Sequence, residues 1–95
     1  MHARVSFYEL GNASKDDAAR SFGDALQAVK EMTGNKGGML LVDAAARKAV
    51  TITYWESEQA LRDSTQQANT ARERAAGSAG MTITGVEAYE VALEF

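Results

Sequence analysis

The chain contains no cysteine, so neither disulfides nor thiolate metal sites are open to it. It has a single histidine, His2, beside a start expected to fray, and this excludes a histidine-rich metal centre. Basic residues are not in excess: 10 Lys and Arg stand against 13 Asp and Glu, for a formal charge of −3. Nucleic acid is therefore not expected as a partner, because phosphate neutralisation dominates such affinity. Arg62, Arg72 and Arg74 are the nearest approach to a basic patch. Asp63 and Glu73 interrupt them, and the three read as a solvated helix face. No apolar run approaches the ~20 residues of a membrane span, and Met1–Leu10 has no signal-type hydrophobic segment. The expected location is the cytoplasm, with no membrane partner.

What is present describes one globular domain over residues 1–95, with 45% hydrophobic and 24% charged residues. A chain of this size buries only about 60–65% of the surface that its unfolded form exposes. Small domains offset that thin margin with disulfides, metals or oligomerisation. The first two are excluded above, which leaves oligomerisation.

Ala3–Glu9 alternates as a strand, with Val5 and Phe7 on one side and Arg4, Ser6 and Tyr8 on the other. Gly11-Asn12 breaks it. Ser14 is placed to cap a helix, with Asp16 and Asp17 in the first turn, where the helix dipole favours negative charge. Ala19, Phe22, Leu26 and Val29 recur at helical spacing. Gly34 stops that helix, and Asn35–Gly38 reads as a turn. Met39–Val42 is a short apolar strand. Ala49–Trp55 is a clear strand: Val50, Ile52 and Tyr54 share one face, Thr51, Thr53 and Trp55 the other. The short Asp43–Lys48 link makes these two an antiparallel hairpin. Ser57 caps a second helix that runs to about Ala76 on a stripe of Leu61, Ser64 or Thr65, Ala68, Ala71 and Ala75, ended by Gly77 and Gly80. Ile83–Phe95 reads as one long closing strand.

The order strand–helix–strand, twice, is that of the ferredoxin-like α+β fold, βαββαβ. Right-handed crossovers put both helices on one face of a four-stranded antiparallel sheet, with spatial strand order 4-1-3-2. The other face is then bare. Yet Ala49–Trp55 and Met39–Val42 carry apolar groups on both sides, and large exposed apolar patches mark interfaces. A homodimer with sheets packed face to face follows as the expectation, with Ile83–Phe95 reaching the partner.

Three segments carry a family resemblance: Gly34-Asn35-Lys36-Gly37-Gly38 leading into Met39–Asp43, Thr51-Ile52-Thr53-Tyr54-Trp55-Glu56-Ser57-Glu58-Gln59-Ala60-Leu61, and Gly85–Val91. With these the chain resembles the antibiotic-biosynthesis-monooxygenase-like proteins of the dimeric α+β barrel superfamily, over nearly its whole length. The resemblance implies one of two chemistries. The haem-degrading branch needs an Asn on the first strand, a Trp closing the third and an iron-ligating His on the second helix. Only Trp55 matches, Ser6 and Tyr8 stand on the first strand, and the second helix has no His. The cofactor-independent branch holds a polyphenol among polar and aromatic groups, with which Trp55, Tyr54 and Tyr8 are compatible.

One sheet face gathers the candidate ligand-binding residues Arg4, Tyr8, Thr51, Thr53, Trp55 and Glu90, with Ser6 among them. They can line a semi-polar pocket for a small aromatic or acidic molecule. Alternatively Trp55 and Tyr8 fill core space while Arg4 and Glu90 pair across strands. In the pocket reading Trp55 is the apolar wall near Leu61, its indole N–H free to orient a polar group. Other templates fail. Gly34–Gly38 ends a helix rather than opening one, unlike a phosphate loop. Asp16-Asp17 and Ser14 suit helix-end roles better than metal binding or nucleophilic attack. No metal and no cofactor are expected. Two functions remain open: a non-catalytic dimeric domain that binds a small aromatic ligand, and a cofactor-independent monooxygenase acting on a polyphenol or quinone-type substrate.

Overall fold

In the computed structural model, which describes all residues 1–95, seven elements follow one another: β1 (His2–Glu9), α1 (Lys15–Lys30), β2 (Asn35–Asp43), β3 (Lys48–Trp55), α2 (Glu58–Asp63), α3 (Thr65–Ala79) and β4 (Thr82–Glu90). The strands form one antiparallel sheet in the order β2-β3-β1-β4, and the helices cover one face. This is the ferredoxin-like order expected from the sequence.

Local chemistry explains where each element starts. Ser14 caps α1 in a reciprocal box: its hydroxyl accepts from the Asp17 N–H at 3.0 Å, and the Asp17 carboxylate accepts from the Ser14 N–H at 3.1 Å. Those two bonds hold the Asp17 carboxyl below the usual carboxylate range. Ser57 caps α2 through the Ala60 N–H. The β2–β3 hairpin closes with Arg47 in the left-handed region, φ 57°. The Arg47 guanidinium then ties the hairpin to the β1–α1 link by donating to the carbonyls of Gly11 and Ala13.

The structure departs from the sequence reading in five places. Asn35–Gly38 is the bulged start of β2, not a turn; the Asn35 side chain bridges the bulge, bonding the Gly37 backbone and the Tyr54 carbonyl. The second helix breaks at Ser64 and runs on to Ala79, where Gly80 ends it at φ 75°. Ala18, rather than Ala19, is the buried position in the first turns of α1. The closing strand stops at Glu90, so Val91–Phe95 is not strand. His2 is not frayed but opens β1, opposite Trp55 and Glu90.

Gly34 and Gly38 hold close approaches. Gly34, at φ 82°, leaves room for the start of α2: a Cβ there would stand 2.5 Å from the Ala60 Cβ. Its carbonyl accepts from the Glu56 N–H at 2.8 Å. At Gly38 a Cβ would lie 2.8 Å from the Ile52 carbonyl oxygen. Gly34→Ala is expected to cost more than about 1 kcal/mol, combining backbone strain with the clash; chemical denaturation that leaves stability unchanged would refute this packing.

The core is small. Tyr8, Leu10, Ala13, Ala18, Phe22, Ala49, Ala75, Ala76 and Met81 form its main cluster, with Tyr8 edge-on to Phe22 at 5.0 Å. Val29, Trp55 and Leu61 form a second cluster at the other end. Between the two lies a polar layer.

Candidate functional site

The polar layer comes from the helix-facing positions of the two central strands. In the β1–β3 register Arg4 stands opposite Thr53 and Ser6 opposite Thr51, with Tyr8 and Trp55 flanking the four on the same face. All six are buried. α3 adds a buried guanidinium, Arg72, over this surface. Arg4, Ser6, Tyr8, Thr51, Thr53 and Arg72, together with Phe22, Leu26 and Val29 from α1, line a cavity of about 30 Å³. A space of that size holds one or two waters and no organic ligand.

The hydroxyls inside are paired. The Tyr8 phenol bonds the Thr51 hydroxyl at 2.9 Å, and Thr53 accepts the Trp55 indole N–H at 3.0 Å. Burial raises the Tyr8 phenol above its ordinary range. Contacts with Thr51 and Ser6 and the positive charge of Arg72 act against that rise. Tyr8 is therefore a protonated phenol at neutral pH, able to donate.

Arg4 organises the helix above it. Ser64 and Thr65 both turn their hydroxyls back onto the Leu61 carbonyl, at 2.7 and 3.3 Å, which is how such side chains loosen a helix. Arg4 Nη2 donates to the same carbonyl at 2.8 Å and to Thr65 Oγ1 at 3.1 Å, while Nη1 reaches Ser64 Oγ at 3.2 Å. The α2–α3 break is thus built around Arg4. The Arg4 guanidinium also lies 5.6 Å from the Trp55 ring centroid, within cation–π range. Arg72 donates from Nη1 to Asn69 Oδ1 at 2.7 Å. Every acceptor of these two arginines is neutral. The ion pairs of the chain involve His2, Arg20, Lys36 and Arg62 instead. Burial, and after it the like charge of Arg72, lower the Arg4 pKa.

Of the six expected site residues, Arg4, Tyr8, Thr51 and Thr53 line the cavity. Trp55 does not: it is 0% exposed, packed among Val29 and Leu61, and its N–H is already given to Thr53. Glu90 lies exposed at the end of β4 opposite His2, away from the layer, so no Arg4–Glu90 pair forms. Arg72 is the residue missed. It is 8% exposed, not part of a solvated face. Its position carried a signal, since Leu61, Ser64, Ala68, Arg72 and Ala75 also follow the i, i+3/i+4 spacing of a buried stripe.

A second feature adjoins the layer. Between α1 and the glycine-rich start of β2 an open groove of about 520 Å³ runs past Gly37 and Gly38. Leu26, Val29 and Thr53 line both the groove and the inner cavity. Leu26 is only half-buried. Its side chain stands between outside and inside.

Comparison with known proteins fits this architecture. No protein-family profile and no curated sequence matches the chain. Solved structures do match it. SnoaB, a cofactor-independent oxygenase from Streptomyces nogalater, superposes with a TM-score of 0.75 at 14% identity, over 98% of this chain and 94% of SnoaB. MhuD, a heme-degrader from Mycobacterium tuberculosis solved with two hemes in its active site, gives 0.70 at 20% identity, over 100% and 99%. A proposed antibiotic biosynthesis monooxygenase from Deinococcus radiodurans gives 0.72 at 17% identity, over 100% and 96%. The chain has the fold of the antibiotic-biosynthesis-monooxygenase-like proteins. The superpositions run nearly end to end, so the likeness is one of the whole fold.

Proposed function

We propose that the chain is a small-molecule-binding protein whose ligand, a flat aromatic compound, enters from the α1–β2 groove and occupies the polar layer between sheet and helices. One observation carries this reading. A 95-residue chain with only 20 buried residues places Arg4, Ser6, Thr51, Thr53, Ser64 and Arg72 among them. Burying charged groups such as Arg4 and Arg72 costs stability unless they are paired with a counter-charge, and apolar residues of similar volume often pack as well or better. A ligand site gives them a purpose. In this state the inner cavity is too small for such a ligand, because ligand pockets measure roughly 300–1,000 Å³. Rotation of Leu26 would join it to the groove. Trp55, the one tryptophan, lies beside the layer and reports on it. Titration with quinones and polyphenols is expected to change its emission saturably. An unchanged spectrum across such a screen would count against the site.

A cofactor-independent monooxygenase is the second reading, favoured by the likeness to SnoaB. In such a reaction the reduced substrate supplies all four electrons that O₂ takes up. One oxygen atom of O₂ enters the substrate, and the other leaves as water with the two hydrogens lost from the oxidised carbon. Arg4 and Arg72 would favour an ionised phenol or enol in the layer, and Tyr8 could donate to it. Oxygen consumption on mixing with a polyphenol tests this; binding without consumption would leave the non-catalytic reading.

The likeness to MhuD raises haem as a ligand. The side chains around the cavity do not fit iron ligation by imidazole. They offer hydroxyls and guanidiniums, α3 carries no histidine, and His2 lies outside the cavity with its Nε2 3.8 Å from Glu58 Oε2. Adding haem is expected to give no sharp histidine-type absorption band. Appearance of such a band, lost on changing a single residue, would reverse this expectation.

The second copy of the chain belongs to the same proposal. Val5, Phe7, Met39, Leu41, Ile52, Tyr54 and Tyr89 lie on the sheet face that no helix covers, all of them at least partly exposed. Two such faces packed together would add the apolar burial that the small core lacks.

A further inference from the structure

We infer that the ligand carries an anionic oxygen group, a carboxylate or an ionised phenol or enol, held between the guanidiniums of Arg4 and Arg72. This rests on the ligand site proposed above and names the charge that it recognises. Two arginines, at 5% and 8% exposure, line the same small cavity in a chain that has more acids than bases. None of its 13 Asp and Glu forms an ion pair with either. Arg4 has neutral hydrogen-bond acceptors and an aromatic ring; Arg72 has the Asn69 amide oxygen and the neutral Tyr8 phenol. Burial, and after it the like charge of Arg72, lower the Arg4 pKa, so the two charges oppose each other. A buried positive pair without a counter-charge is a costly arrangement in the empty protein. An anion between them would supply the missing charge and the bidentate acceptor that guanidinium geometry suits.

The surroundings add selectivity. Ser6, Tyr8 and Thr51 offer hydroxyl donors beside the pair, and Phe22, Leu26 and Val29 form an apolar wall opposite. An aromatic ring against that wall, with its acidic group towards the sheet, satisfies both. A free inorganic anion would use only half of the site, so an aromatic acid should outcompete phosphate.

Isothermal calorimetry with 2-naphthoate and with its neutral isostere 2-naphthamide tests this, alongside ¹⁵N chemical-shift mapping to place each probe. The expected result is naphthoate binding at Thr51 and Thr53 at least ten times more tightly than naphthamide. Arg72→Met should abolish the preference, and Arg72→Lys should keep part of it. Because Arg72→Met also removes the like-charge repulsion, its melting temperature without ligand should equal or exceed that of the parent. A purely structural arginine would give a lower one. Equal affinity of both probes at Thr51 and Thr53 would overturn the anionic assignment and leave the ligand site standing. Neither probe shifting those residues would overturn both. Should Arg72→Met fail to fold, the structural role is indicated, and the naphthoate–naphthamide ratio of the parent protein still decides the charge preference.

Discussion

Trp55→Ala is expected to bring the protein close to unfolding at room temperature. The ring is 0% exposed and joins Val29 and Leu61 in the smaller of the two core clusters. Removing a buried aromatic of this kind costs about 3–5 kcal/mol. Two further losses add to it. Thr53 loses its indole donor, and Arg4 loses the π face that lies 5.6 Å from its guanidinium. A domain of this size has a total stability of roughly 5–14 kcal/mol, so the change would remove a large fraction. In urea, with a slope of about 1–3 kcal/mol/M, the midpoint should fall by more than 1 M. A loss below about 1 kcal/mol would instead place Trp55 on the wall of an accessible pocket and contradict the packing described here.

Ile52→Asp is expected to convert a dimer into a monomer. Ile52 is central on the uncovered face, paired in register with Val5 of β1 and Met39 of β2. Leu41 and Tyr89, at 49% and 50% exposure, extend the apolar area towards both edges. A carboxylate at its centre would be buried without a partner on both copies of the interface. Losing a central anchor costs 2 kcal/mol or more, so dissociation should strengthen at least about 30-fold. Light scattering at micromolar concentration should show two chains per particle for the parent and one for the variant. A monomeric parent would remove the dimer from the account and leave the apolar face unexplained.

The fold was legible because each element announces itself locally. Strict alternation in Thr51-Ile52-Thr53-Tyr54-Trp55, a cap at Ser14 with Asp17 three residues on, and Gly80 at the end of α3 mark the elements, and their order implies the arrangement of strands and helices. What failed was non-local. The break at Ser64 depends on Arg4, sixty residues earlier, reaching the Leu61 carbonyl, and a helical pattern read alone does not contain that contact. Asn35–Gly38 looked like a turn because its residues favour turns; in the fold Asn35 bonds across to Tyr54 and the segment becomes strand. The end of β4 differs because Val91 and Leu93 continue the alternation beyond Glu90, whereas the ladder with β1 closes at His2–Glu90 and Val91 adds one more bond, its N–H to the Met1 carbonyl at 2.9 Å.

The candidate site was half legible. The period of β1 and β3 brought Arg4, Tyr8, Thr51 and Thr53 onto one face, and they do meet around the cavity. Glu90 followed from the same rule, yet exposure at the sheet's end separates it from the others. Arg72 runs against its residue type, since a charge in a helix usually faces water. Its spacing on the Ala68–Ala75 stripe argued the other way, and the spacing proved the better guide.

The central claim is that a small aromatic molecule occupies the layer between the sheet and α3. Chemical-shift mapping of the ¹⁵N-labelled protein during titration with quinones and polyphenols tests it most directly. The account predicts saturable shifts at the Trp55 indole N–H, at the Thr51 and Thr53 amides, and at Leu26 where the groove meets the cavity. Shifts confined to the uncovered sheet face, or none that saturate at millimolar ligand, would contradict it.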